Sequence, residues 1–479
     1  MKHKFPAAVL TLSILISTLF FTACMTPEQA DPEKGPPETG KEPVERPGDE
    51  PRDRPGDKPR EDAYNNIEEL INKGDSESAV REFEKVKDDS SETVIAYAGL
   101  LMASGDYGKA ETELLSLLER EPMNADAYFN LALIKGLKGE PEAEVEMLDK
   151  AIAVDDAHSP ALSVRGVIYL SESKIKKASE MFKRSLDSDA DNIIALTGYG
   201  SALIREDKYE EAEGYLDRAV ELDPANPFTY LDRSGVRAAN GDMEGAESDM
   251  SAAIELEPDY FWHYLDRGRL RIRDLGDRKG ALEDFNRAIE LDPAIFYPYI
   301  FRAGIYDDMD EYELAAADYK LVIEAKPDYY FAYSSLGIMQ FMISDWEGCR
   351  SSFEKAFKLE PEEYAYLAMA AVAVTKMGDK LAARKYYSEI MDKIPTASIY
   401  YHILRSYLER GYDAYALRKI QDEENEGLQK RLLFYIAELY HQNGMETAAY
   451  SYFTLVKDAE NLGYFESRIA EHELESHYE

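Results

Sequence analysis

The chain has 479 residues, and its 94 acidic against 55 basic residues leave a net charge of −39. That sign excludes a nucleic-acid binder, whose partner's phosphates demand a basic face, and a polybasic contact with anionic lipid. It fits a solvated, self-repelling surface. Two cysteines, Cys24 and Cys349, build no disulfide framework, while a hydrophobic content of 45% supplies core material throughout.

Residues 1–24 read as a targeting segment. Lys2 and Lys4 form a basic start, Ala7 to Phe21 is apolar apart from hydroxyl residues, and Phe21-Thr22-Ala23-Cys24 follows. The run is short and one-sided for a membrane span. Small residues ahead of a lone cysteine resemble a bacterial lipobox, although Phe21 stands where the usual pattern has leucine. The resemblance implies that Cys24 is acylated and becomes the mature N-terminus, inserted in a lipid bilayer. Thr26, in place of the aspartate that retains many such proteins at the inner membrane, leans by the same resemblance towards the outer membrane, facing periplasm or exterior. An ordinary signal peptide and an uncleaved anchor are the alternatives. Residues 25–62 are proline and charge, with Arg46-Pro47-Gly48-Asp49-Glu50-Pro51-Arg52-Asp53 nearly repeated as Arg54-Pro55-Gly56-Asp57-Lys58-Pro59-Arg60-Glu61. Their apolar content cannot offset chain entropy, so they read as a disordered tether.

From there the chain repeats itself. Ala212, Ala246, Ala281, Ala315, Cys349 and Ala383 are 34, 35, 34, 34 and 34 residues apart, and Pro224, Pro258, Pro293, Pro327, Pro361 and Pro395 keep the same steps. Within one period Ala281, Phe285 and Ala288 share one face of a helix. Tyr264–Arg273 forms a helix ahead of it with Gly268 on its packed side, and Gly276-Asp277 separates the two. Pro293 ends the unit, because it lacks an N–H and its ring clashes with the preceding turn. Small residues at 268 and 281 let the helices approach closely. Each unit is thus a helix hairpin that buries its apolar side only by stacking on its neighbours. The regular array runs over 63–397, with degenerate units at the start, and residues 398–479 hold looser units with a polar loop at Gln421–Gly427 and a final helix over 464–476 covering the last apolar face. The single extra residue of the unit 261–295 falls near Asp274-Leu275-Gly276.

A 34-residue period with small residues at fixed offsets and a closing proline resembles the tetratricopeptide repeat, TPR. The resemblance implies an all-α fold, a right-handed superhelical α-solenoid of about eleven or twelve hairpins, with a concave groove that binds protein partners. Carrying the family's groove positions onto this chain puts Trp262, Arg269, Arg273, Tyr297, Asp307, Phe331 and Phe341 along one inner wall, with Phe129 further N-terminal. Aromatics and arginine are common interface anchors. Packing between units is the alternative role for Tyr297 and Phe331. Arg233, Arg267 and Arg302 recur at one offset and are expected to pair with acids of neighbouring repeats. The C-terminal run Phe434-Tyr435-Ile436, Gly444, Ala448-Ala449, Phe453, Glu466-Ser467-Arg468 and Glu473-Leu474 resembles the end of the new lipoprotein I family, which implies an adaptor for envelope proteases or cell-wall enzymes.

Catalytic spacing is absent: the sequence has no P-loop, glycine-rich nucleotide turn or Gly-x-Ser-x-Gly elbow. His472 and His477 are five residues apart, where a shared helical ligand face needs four, so no metal site is expected there. Asp187-Ser188-Asp189-Ala190-Asp191-Asn192 imitates a calcium loop but lacks the turn glycine and the closing glutamate. Cys349, in the alanine slot, is expected to be a buried spacer. The reading is a non-enzymatic, cofactor-free, envelope-anchored interaction scaffold. The alternatives are an accessory subunit of a secretion, outer-membrane assembly or solute-uptake complex, or a small-molecule binder using the aromatic–arginine wall.

Overall fold

The structure, a computed structural model, describes residues 58–458 and 465–478. The leader, Cys24 and residues 25–57 of the tether lie outside them, whereas the end of the assigned tether is already helical, in the helix Lys58–Asn72. Every regular element among the described residues is a helix. The chain divides into two units, residues 1–241 and 242–479.

The first unit holds five hairpins, Lys58–Asn72 with Ser76–Val86, Ser91–Ala103 with Tyr107–Arg120, Ala125–Leu137 with Pro141–Val154, Ser159–Ser171 with Ile175–Ser188 and Ile193–Ile204 with Tyr209–Leu222, followed by the helix Pro227–Asn240. The second opens with Met243–Leu256. Six hairpins follow, starting at Phe261, Tyr297, Tyr330, Tyr364, Ile399 and Glu426, and then the single helix Phe465–Tyr478. In both units each helix packs on the next, and several pairs of successive first helices also touch. That arrangement makes the first helices the inner layer of an α-solenoid.

The turns show why the period holds. In the hairpin Ser91–Arg120, Gly105 adopts a left-handed φ of 83°, and Asp106 then caps the next helix by accepting from the Lys109 N–H at 3.0 Å. Ser173, Asp207, Asp310 and Ser344 take the left-handed conformation without glycine, at roughly 1–2 kcal/mol each. The extra residue of 261–295 is absorbed inside the first helix, whose last residues, Arg271–Leu275, form a π-helical turn. The closing bond there runs from the Asp277 N–H to the Arg271 carbonyl, six residues back, where the Asp106 N–H reaches Leu101, five back. The closing prolines also take part in a bond. Their carbonyls accept from a tyrosine six residues on: Tyr264 to Pro258 at 3.0 Å, Tyr299 to Pro293 at 3.3 Å and Tyr333 to Pro327 at 3.2 Å.

Close helix approach rests on glycines beneath phenyl rings. A Cβ on Gly268 would lie 2.7 Å from Phe285, and one on Gly337 would lie 2.8 Å from Phe353. In the first unit Phe182 presses on Gly166 and Gly198 in the same way. Ala281 and Cys349 are fully buried, and burial pushes the Cys349 thiol well up from its ordinary range, as befits a spacer.

The recurring arginines clamp three helices. Arg267 makes a two-pronged contact with Asp284 of its own hairpin, at 3.0 and 2.6 Å, and donates to Ser251 Oγ of the preceding helix at 2.9 Å. Arg302 repeats this with Asp318, at 2.8 and 2.6 Å, and with Asn286 at 2.6 Å. Arg233, in the first unit, reaches back to Asp217 at 2.8 Å. The expectation of pairing between repeats therefore holds for Arg233. For Arg267 and Arg302 the main acid lies within the hairpin, because the Asp284 and Asp318 carboxylates are buried directly opposite.

The hairpins from Tyr330 onwards share one continuous core with the terminal helix, which contributes Ile469, Ala470 and Leu474. Asn425 starts its helix by accepting from the Leu428 N–H, so the loop read at 421–427 is shorter than expected.

Gly268→Ala should lower stability by about 1–3 kcal/mol, because the ring of Phe285 has no room to retreat. Gly304→Ala, on a first helix with nothing within 4 Å of the new Cβ, should be neutral or raise stability by up to about 1 kcal/mol. Urea midpoints of the two variants, compared with wild type, check both signs.

Candidate functional site

Three successive first helices of the second unit begin with aromatic residues: Tyr260-Phe261-Trp262, Phe296-Tyr297 and Tyr329-Tyr330-Phe331. Their rings form one unbroken series. Phe261 and Trp262 have centroids 4.7 Å apart, Trp262 and Tyr297 6.3 Å, Tyr297 and Phe296 4.2 Å, Phe296 and Tyr329 5.9 Å, Tyr329 and Phe331 5.8 Å, and Phe331 and Tyr330 4.1 Å. Lys326 lies 5.3 Å from the Phe296 centroid and 5.4 Å from that of Tyr329, a cation held against ring faces. Yet Trp262 remains 37% exposed, Tyr297 45% and Phe331 52%. Mutual packing fixes their orientation without hiding their faces, which is the state of a preorganised contact surface.

Beside the ridge, Arg269 is half exposed, donates to Asp266 at 3.2 Å and lies 5.6 Å from the Phe301 ring. Burial raises the Asp266 carboxyl above its ordinary value, opposed by Arg269. Arg273 is largely exposed and bound to Asp274.

Further along the same inner layer the groove is filled by the chain's own last helix. Phe465–Tyr478 packs against both helices of the last hairpin, as expected, but also against Tyr330–Met342. Arg468 donates to Asp310 Oδ1 at 2.8 Å and to the Asp307 carbonyl at 3.2 Å, across more than 150 residues of sequence. His472 meets the Tyr312 ring edge-on at 6.3 Å. Phe465 packs on Phe353 and Tyr366 at 5.6 and 6.3 Å. Four ionic contacts complete the seat. Glu466, fully buried, accepts from Arg431 at 2.6 Å and from the Tyr435 hydroxyl at 2.8 Å. Arg431 also reaches Glu363 at 3.2 Å. Lys376 lies between Glu438 at 3.2 Å and Glu473 at 2.9 Å.

The anticipated wall therefore divides. Trp262, Tyr297 and Phe331 belong to the open ridge, Arg269 lies on the helix that Trp262 begins, and Arg273 lies further along, in the π-helical turn that ends it. Asp307 lies under the terminal helix, 3.7 Å from Arg468, and burial raises its carboxyl above the ordinary value. Phe341 is fully buried, with Trp346 edge-on at 5.1 Å and Lys376 5.6 Å from its centroid. In the first unit, Phe129 is buried against His158. Phe341 and Phe129 are thus core residues with no ring face to offer, because neighbouring hairpins close over these positions. The sequence reading passed over Phe261, Phe296, Tyr329 and Tyr330, although aromatic doublets recurring at each hairpin start were the available signal. It named Glu466, Arg468 and Glu473 only within the C-terminal resemblance, because one-dimensional spacing cannot connect them to residues so far upstream. The calcium-loop imitation is a hairpin junction in which Asp191 binds Arg218 at 2.8 Å and Asn192 caps the next helix.

Residues 98–160 and 164–227 match one tetratricopeptide-repeat family model, and residues 264–295 and 297–329 match a second. These segments are tetratricopeptide repeats. No curated protein sequence matches the chain. Among solved structures it is similar to YrrB, a TPR protein with an unusual peptide-binding site, at 24% identity over 39% of this chain and 95% of that one, with a TM-score of 0.35. It is also similar to PilF of Pseudomonas aeruginosa, at 19% identity over 44% and 96% with a TM-score of 0.40. The C-terminal part of a TPR protein from Cytophaga hutchinsonii matches at 17% identity over 50% and 99%, with a TM-score of 0.41.

Beneath the terminal helix, burial pushes the Glu438 carboxyl up from 4.5 to about 7, with Lys376 pulling it down and Glu473 adding repulsion. The folded state then holds a proton that the unfolded state has released between those two values. This contribution favours folding at the acid end of the window and is lost as pH rises through about 7. Glu438→Gln should flatten the pH dependence of the urea midpoint across that window. Lys376→Met, which strands two buried carboxylates, should cost about 3–5 kcal/mol at neutral pH.

Proposed function

We propose that this chain is a protein-interaction scaffold anchored in a bacterial cell envelope, with its partner held on the aromatic ridge Phe261–Tyr330. The observation that carries the reading is the ridge itself. Seven rings in continuous contact stand on the inner layer, with several faces open to solvent and a half-exposed arginine, Arg269, beside them. Large aromatic side chains that are already ordered lose little entropy on binding and dominate interface energies. Tetratricopeptide repeats are protein-binding modules, and TPR proteins are typically non-enzymatic scaffolds, which supports the same assignment. Trp262, Tyr297 and Phe331 are the proposed anchors, and Arg269 and Arg273 supply polar contacts at the rim.

The envelope location is carried by residues outside the described structure. Phe21-Thr22-Ala23-Cys24 follows a basic, then apolar, leader, and an acylated Cys24 would insert its chains at ~0.8 kcal/mol per buried methylene. No helix among the described residues is long and apolar enough to cross a membrane. The proline-rich, charged stretch that follows would serve as a spacer between lipid and repeats. Envelope proteases or cell-wall enzymes are the partners that the C-terminal resemblance suggests.

Trp262→Ala combined with Phe331→Ala should reduce crosslinked recovery of the partner from envelope extracts at least tenfold while leaving the melting temperature within a few degrees. Unchanged recovery would remove the ridge from the binding site. Cys24→Ser should move the protein from the detergent phase to the aqueous phase on phase separation, and retention in detergent would remove the lipid anchor.

A further inference from the structure

The terminal helix brings together side chains that linear spacing kept apart. Glu473 and His477 are four residues apart, so they project from one face of Phe465–Tyr478. Facing them is His441, near the end of the helix Glu426–Gln442. One ligand atom from each of the three lies within 4.8 Å of the others, and the two imidazole centroids are 4.8 Å apart. His477 Nε2 stands 3.4 Å from Glu473 Oε2. We propose that His441, Glu473 and His477 form a binding site for a divalent first-row transition ion, with zinc the best match.

Two imidazoles and one carboxylate are a donor set that suits zinc, with a fourth position left for water. Zinc–ligand bonds of about 2.0–2.2 Å put donor atoms roughly 3.3 Å apart. Closing the cluster from a spread of up to 4.8 Å takes at most about 1.5 Å of side-chain movement, and His477, 44% exposed near the end of its helix, has room to make it. Glu446 lies 3.0 Å from His441 Nδ1. A carboxylate on Nδ1 holds the ring proton there, places the ligand lone pair on Nε2 and raises its basicity, the arrangement that commonly supports a metal-bound histidine.

Charge points the same way. Behind the cluster two buried carboxylates, Glu438 and Glu473, share the single ammonium of Lys376. Once Glu438 has released its proton, the pocket holds an excess of negative charge that a cation at the imidazoles would offset. Glu473 has two oxygens and can bridge Lys376 and the ion. His472, one residue before Glu473, points elsewhere, towards Tyr312, and takes no part. An ion here would staple the terminal helix to the last hairpin.

The test uses the untagged mature chain and Zn²⁺ as probe, with Co²⁺ for its ligand-field spectrum. Calorimetry should show one saturable Zn²⁺ site per chain, Co²⁺ should give the intense visible bands of a four-coordinate site, and Zn²⁺ but not Mg²⁺ should raise the melting temperature. His441→Ala and His477→Ala should each abolish all three signals, His472→Ala should leave them unchanged, and Glu446→Ala should weaken binding about 10–100-fold. Circular dichroism confirms that each variant is folded, and His477→Gln, altering an exposed side chain, serves where His441→Ala is not. Absence of a saturable site in the wild type, or Zn²⁺ binding that survives in both histidine variants, overturns the assignment.

Discussion

The architecture depends on how closely two helices of one hairpin can approach. A phenyl ring seated on a glycine, as Phe285 sits on Gly268 and Phe353 on Gly337, sets that distance. Everything periodic follows from it. Two closely packed helices still leave each hairpin with an apolar flank, that flank is covered by the next hairpin, and repetition keeps first helices on the inner layer. The arginine clamps add direction to this packing. A guanidinium that holds a buried aspartate at two points and a neighbouring hydroxyl or amide at a third fixes the rotation of three helices at once.

The inner layer of the second unit has two treatments of the same surface. At Phe261–Tyr330 the rings pack on one another and stay accessible. From Asp307 to Lys376 the surface is taken up by Phe465–Tyr478, held by Arg468, Glu466 and Glu473. The second treatment shows what this inner layer accepts: a helix that presents an apolar stripe of Ile469, Ala470 and Leu474 between charged residues. Burial of Glu438, Glu466 and Glu473 is costly unless each charge finds a partner. Those partners, Lys376 and Arg431, come from different hairpins, so the ionic pairs specify where the terminal helix lies more than they add to stability.

Much of this was legible from one dimension. A period of 34 residues, glycine–aspartate turns and prolines at fixed offsets are local signals, and Gly268, Ala281 and Phe285 take the places that their spacing implies. Exposure was less legible. Phe331 and Phe341 look alike in the sequence, yet the first is 52% exposed and the second is fully buried beside Trp346 and Lys376. The difference is made by neighbours that no local pattern names. The inserted residue near Gly276 was visible as a change of period, but its absorption in a π-helical turn was not, because helix and turn can each take up one residue.

By itself, then, the amino-acid sequence determined the hairpin, its period, its turns and the solenoid class, since these rest on contacts within about one repeat length. The tertiary structure alone decided where the last helix lies and which histidine faces which carboxylate. His477 meets Glu473 through the pitch of a helix and His441 because the terminal helix folds back on the last hairpin, but Arg468 meets Asp310 only because distant hairpins receive the end of the chain. Such contacts depend on the accumulated rotation of many repeats, a quantity that no single stretch of residues encodes.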